Sequence, residues 1–160
     1  MKKDLPENIV EDISIAIVLE SETPDSKVWN VYLINEKSLP LSTTLVTSKG
    51  YGLKDGKEVK TSTLRHFIGD VPASSFLKIE AIDTQVFGLT NEYWLSFYID
   101  NIMFDKKYIF LPESIVDENN QQKYFVFMAS DPIFGNKSGR SWSNQEMLAM
   151  TESFLVILFL

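Results

Sequence analysis

The chain has 160 residues, 44% of them hydrophobic and 23% charged, which suits one domain with a real core and is too apolar for disorder. A net charge of −7 argues against a nucleic-acid surface covering most of the protein, since phosphate binding needs clustered Lys and Arg. The absence of cysteine removes disulfides, thiolate zinc sites and cysteine nucleophiles together.

Residues 1–10 are expected to be a flexible acidic lead-in, with no apolar run that would make a secretory signal, so the cytoplasm is the default location. From residue 11 the pattern is strand after strand. Ile13, Ile15, Ile17 and Leu19 alternate with Ser14, Ala16, Val18 and Glu20, the period of two that marks a strand. Thr23, Pro24 and Asp25 break it. On the next strand Trp29, Val31 and Leu33 point one way and Val28, Tyr32 and Ile34 the other, so both faces are expected to be covered. A third strand over 42–49 is expected to end at Gly50 and Gly52, and Asp55-Gly56 signals a hairpin whose second arm runs over 57–68.

Further strands are expected over 75–82, 93–99 and 104–111, with a turn at Asp100-Asn101 and a stop at Pro112. Trp29, Trp94, Tyr93, Phe97 and Tyr98 are read as core-packing aromatics on these strands. About seven short strands with turns every 8–12 residues describe an antiparallel β-sandwich, mainly β and immunoglobulin-like, over residues 11–128. Residues 123–128 add a candidate last strand and 131–141 a loop. Ser143 with Glu146 forms a capping box that predicts a helix start. The run FLVILFL at 154–160 is all apolar, so periodicity does not separate helix from strand. It is shorter than the ~20 residues of a membrane helix, so no membrane span is expected, and residues 129–160 are expected to pack on the domain as a tail.

No motif commits to a reaction or cofactor; the expectation is no catalytic residue, no cofactor and no metal site. His66 is the only histidine, and no second His or Cys stands ready as a metal ligand. The segment Gly139-Arg140-Ser141-Trp142-Ser143 lacks the closing glycine of a nucleophile elbow. A small hydrolase would need an acid and a hydroxyl within ~3 Å of the His66 ring. One basic island stands out, with Lys49, Lys54, Lys57, Lys60 and Arg65 against Asp55 and Glu58, a net of +3. Its glycines lead into a hairpin and not a helix N-terminus, so it is no phosphate loop. Lys49, Lys54, Lys57, Lys60, Arg65 and His66 form the candidate partner or anion surface.

The strings WNVYLIN (29–35), LVTSKGYG (45–52), KTSTLRH (60–66), VFGLTNEYW (86–94) and DKKYIFLPES (105–114) resemble a family of short bacterial proteins over about residues 8–116. Its members often carry the label phenylalanyl-tRNA synthetase subunit alpha. A class II synthetase core needs an F-R-x-E motif and a later G-x-G-x-x-R motif. This chain has two arginines; Arg65 follows Leu64, Arg140 sits in a Ser/Gly loop, and neither motif exists. The resemblance therefore implies kinship without synthetase activity, and it does not extend to the tail. Val31-x-Leu33-x-Asn35 and the Val71-Pro72-Ala73 entry into a later strand are similar to immunoglobulin-like modules, a likeness of fold alone.

The first functional expectation is a non-catalytic β-sandwich that binds a protein partner or its own copy. The alternative is a polyanion- or RNA-binding accessory protein using the 49–66 hairpin, a partner class that the net charge disfavours.

Overall fold

The computed structural model describes residues 8–112, 114–115 and 126–128. Nine strands are present among them: β1 (Ile13–Thr23), β2 (Ser26–Asn35), β3 (Leu41–Lys54), β4 (Lys57–Lys60), β5 (Leu64–Val71), β6 (Ser75–Ala81), β7 (Thr90–Ile99), β8 (Ile102–Phe110) and β9 (Val126–Met128). A single 3-10 turn, Thr84–Val86, is capped by Asp83, whose carboxylate accepts the Gln85 N–H. The first sheet runs β6-β2-β1-β9, and the second runs β4-β3-β7-β8 with β5 also on β3. Every pairing is antiparallel. The protein is mainly β, two packed sheets that form a sandwich and not a closed barrel. The predicted loop over 131–141, the capping box at Ser143 and the 154–160 run lie outside the described residues, as does most of the 1–10 lead-in.

Two hairpins form where the turn chemistry predicts them. Asp55 and Gly56, then Asp100 and Asn101, all have positive φ, the backbone that tight two-residue hairpins require. The third strand, however, does not stop at Gly50; β3 continues to Lys54. Gly50 stays in the ladder because Thr61 lies over it. Gly50 N–H donates to Thr61 Oγ1 at 2.8 Å, and a Cβ on Gly50 would stand 3.1 Å from the Thr61 methyl. That contact also breaks the expected second arm in two, so β4 and β5 pair with successive stretches of the same edge of β3.

Alternation then sorts the side chains. Ile15, Ile17, Val31 and Leu33 of the first sheet share one buried cluster with Val46, Leu95, Phe97 and Phe110 of the second. Aromatic pairs lock it, Phe97 stacking on Phe104 and Tyr93 meeting Phe110 edge-on. As expected, β2 is buried on both faces: Ala16, Val18, Tyr32 and Ile34 form a second buried cluster on the outer side of the first sheet, with Phe76 against it. The aromatics do not all go inward. Tyr93, Leu95 and Phe97 face the core while Trp94 and Tyr98, offset by one residue, face outward and are exposed. The expectation of core packing for Trp94 and Tyr98 is corrected on that ground, since neighbouring residues of a strand without a bulge point to opposite faces.

This assignment predicts a sharp contrast in unfolding by guanidinium. Leu95→Ala, at a fully buried position, is expected to lower stability by about 2–5 kcal/mol. Phe67→Ala, at an outward position, should stay within about 0.5 kcal/mol of wild type.

Candidate functional site

The basic island does not form one surface, because alternation splits it. Lys54 pairs with Lys57 and Tyr51 with Lys60 across the β3–β4 hairpin, so Lys54 and Lys57 share one face and Lys60 takes the other. Arg65 lies on the outer face of the second sheet, opposite Thr47, as does Lys49. Lys49 is already engaged: its ammonium is 3.0 Å from Glu92. His66, next to Arg65, turns inward between the sheets. Lys54, Lys57, Lys60 and Arg65 remain exposed.

His66 is the centre of a polar cluster that the sequence did not foretell. Its Nε2 is 3.0 Å from Glu80 and 3.4 Å from the Ser48 hydroxyl. Glu80 reaches it through a β-bulge. Val31 pairs with Glu80 but Tyr32 with Lys78, leaving Ile79 as the extra residue on β6. The bulge lets Ile79 enter the core while Glu80, the next residue, points toward the second sheet. An acid and a hydroxyl do stand near the ring, as a hydrolase would need. Both, however, address the same nitrogen. With its proton on Nε2, His66 donates to Glu80, and the ring lone pair lies on Nδ1, away from Ser48. A serine–histidine–acid relay needs the hydroxyl and the acid on opposite nitrogens. What this geometry does is tie β6 of one sheet to β5 of the other.

Tyr93 belongs to the same latch. Burial first, then the charge and hydrogen bond of Glu80, push its phenol well above the ordinary tyrosine range. Beside the latch is a cavity of about 210 Å³ lined in part by Ser48, Thr61, Glu80, Asp83, Asn91 and Tyr93. That is below the ~300–1,000 Å³ of ordinary ligand pockets. Among the described residues no group of three or more His, Asp or Glu could hold a metal ion, and no helix is long and apolar enough to cross a membrane.

The larger feature is the outer face of the second sheet. Phe67 is 72% exposed, Met103 51%, Trp94 46%, Tyr98 37% and Leu45 36%. The register makes them neighbours: Leu45 faces Phe67, Thr47 faces Trp94, and Tyr98 faces Met103. At one end Glu92 is nearly buried beneath Lys49 and Lys107, whose ammonium groups are 3.0 and 3.5 Å away. The Tyr51 hydroxyl also donates to it at 3.4 Å. Lys107 lies 4.9 Å above the Trp94 ring as well, a cation–π contact. Reading Trp94 and Tyr98 as core aromatics hides this face in the sequence; alternation from Leu95 and Phe97 is the signal that finds it.

The latch has a consequence at alkaline pH. Below about pH 10 tyrosine keeps its proton in the folded and unfolded chain alike. Above that, an unfolded Tyr93 ionises while the folded one does not, so the unfolded state gains and stability falls as pH rises. Urea unfolding at pH 9 and pH 11 should show a smaller alkaline loss in Tyr93→Phe than in wild type, by up to about 1.4 kcal/mol for each pH unit above 10. Equal losses would remove Tyr93 from the account. Tyr32, raised by burial and by its bond to Glu20, keeps part of the alkaline slope in both proteins.

No protein-family model, curated protein or solved structure matches the chain.

Proposed function

We propose that this chain is a non-catalytic binding module that works by self-association through the outer face of its second sheet. The observation that carries this reading is the row of large side chains, Phe67, Leu45, Trp94, Tyr98 and Met103, left exposed on one continuous sheet face. Apolar and aromatic residues held together on a rigid surface mark interaction sites. Aromatics, Met and Arg are the types enriched in such interfaces. The contrast within the molecule supports it, because on the first sheet the corresponding outer positions Ala16, Val18, Tyr32 and Ile34 are buried. At one end of the patch Glu92 lies between Lys49 and Lys107, so the carboxylate is paired and the surplus there is a single positive charge.

The strand order supports an immunoglobulin-like reading of the sandwich. Strands β1, β2 and β6 adjoin on one sheet and β3, β7 and β8 on the other. Those are the places of A, B and E against C, F and G in an immunoglobulin sandwich. Here β4 and β5 join β3, where the constant type would place a strand beside E. Such modules act through surfaces more often than through pockets, which is analogy of fold and carries no partner identity.

Light scattering on the purified full chain tests the proposal. The average mass should rise toward twice the monomer as concentration increases, and Phe67→Ala should shift that rise to higher concentration, with an unchanged far-UV spectrum and, at concentrations where wild type is monomeric, an unchanged melting midpoint. A strictly monomeric wild type at high concentration overturns self-association. If that monomer instead bound bulk tRNA at low salt, and Lys60→Glu with Arg65→Glu weakened the binding, the basic and aromatic residues would serve a polyanion.

A further inference from the structure

Two adjacent rows cross the outer face of the second sheet, and they read as complements. In the first, Arg65 of β5 faces Thr47 of β3, which faces Trp94 of β7, which faces Lys107 of β8. In the second, two residues along each strand, Phe67 faces Leu45, Leu45 faces Ser96, and Ser96 faces Asp105. The rows lie roughly 6.8 Å apart, two residues of antiparallel strand.

Resting on the self-association reading, we infer that the occupant of this face is a second copy related by a two-fold axis that runs across the strands, between these two rows. A face-to-face pair with closed symmetry must have its axis in the plane of contact. There are two simple choices, across the strands or along them. Across the strands, each first row lies over the partner's second row. Lys107 then meets the partner's Asp105, Trp94 the partner's Ser96, Thr47 the partner's Leu45, and Arg65 the partner's Phe67. Three of the four pairs are opposite in charge, large against small, or a cation over an aromatic ring, and the fourth sets the Thr47 methyl against Leu45. Along the strands, the same sheet would set Arg65 over the partner's Lys107 and Phe67 over the partner's Asp105. Like charges then oppose, and a carboxylate faces the ring carrying the most exposed apolar surface. Electrostatic complementarity fixes register where apolar contact alone does not.

Four strands ~4.8 Å apart and a few rows give a patch on the order of 400 Å² in projection on each copy, about half the ~800 Å² per partner of a standard interface, so the dimer is a weak one. The dimer should therefore depend on concentration and salt.

Charge exchange tests the register. Sedimentation equilibrium should show Asp105→Lys and Lys107→Asp each weakening the homodimer by about tenfold. An equimolar mixture of the two variants should associate with near wild-type affinity, because each heterodimer again sets a lysine opposite an aspartate at both contacts. The double exchange within one chain should recover as well. A mixture no tighter than its components, in a protein whose wild type dimerises and whose Phe67→Ala variant dimerises more weakly, overturns the register and leaves the face in place. A monomeric wild type overturns both.

Discussion

Interdigitation of Ile15, Ile17, Val31 and Leu33 with Val46, Leu95 and Phe97 is the contact on which the rest of this molecule depends. Each of these residues sits in a strand of period two, so committing it to the core commits its neighbours to the outside. A slip of one residue in any pairing would turn a whole strand over and expose the core set. The buried cluster therefore fixes more than stability. By holding Leu95 and Phe97 inside, it forces Trp94, Ser96 and Tyr98 out; by holding Val46 inside, it forces Leu45 and Thr47 out. The outer rows are thus positioned by the inner ones.

The molecule departs from strict alternation where polar chemistry must cross between sheets. At the β6 bulge, Ile79 and Glu80 both turn toward the second sheet, one to fill the core and the other to meet His66 and Tyr93. A carboxylate held by an imidazole and a phenol in a partly buried rim keeps its hydrogen bonds, so its desolvation is offset. The arrangement fastens the sheets on the β5–β6 side and leaves the outer face of β3 and β7 exposed. On the proposed reading, stability and binding are served by opposite sides of the same strands.

Much of this was legible in the residues. The alternation of Ile13, Ile15, Ile17 and Leu19 gave β1 directly, and Asp55-Gly56 and Asp100-Asn101 placed their hairpins because few other pairs accept positive φ. Gly50 misled, since a glycine inside a strand reads as a stop until its covering residue, Thr61, is known to fold back on it. The segment from Tyr93 to Tyr98 is harder to read because Trp94 and Tyr98 are themselves core-like; only Ser96 and Glu92, which share their parity, mark that set as the one facing water. The bond from His66 to Glu80 joins residues on different sheets through a bulge, and no local pattern announces it. Splitting of the basic island was readable, by contrast, from the odd and even places of Lys54, Lys57 and Lys60 about the hairpin turn.

The central claim is that the outer face of the second sheet is the working surface, and that a second copy covers it. A series of NMR spectra across a wide concentration range tests this most directly, because it reports residue by residue. The account predicts that the methyl groups of Leu45 and Thr47, the Phe67 ring and the Trp94 indole shift together with concentration. The β1–β2 hairpin around Thr23 and Ser26, on the other sheet, should stay fixed. Shifts confined to that hairpin or to the first sheet, or none at any concentration, would contradict it.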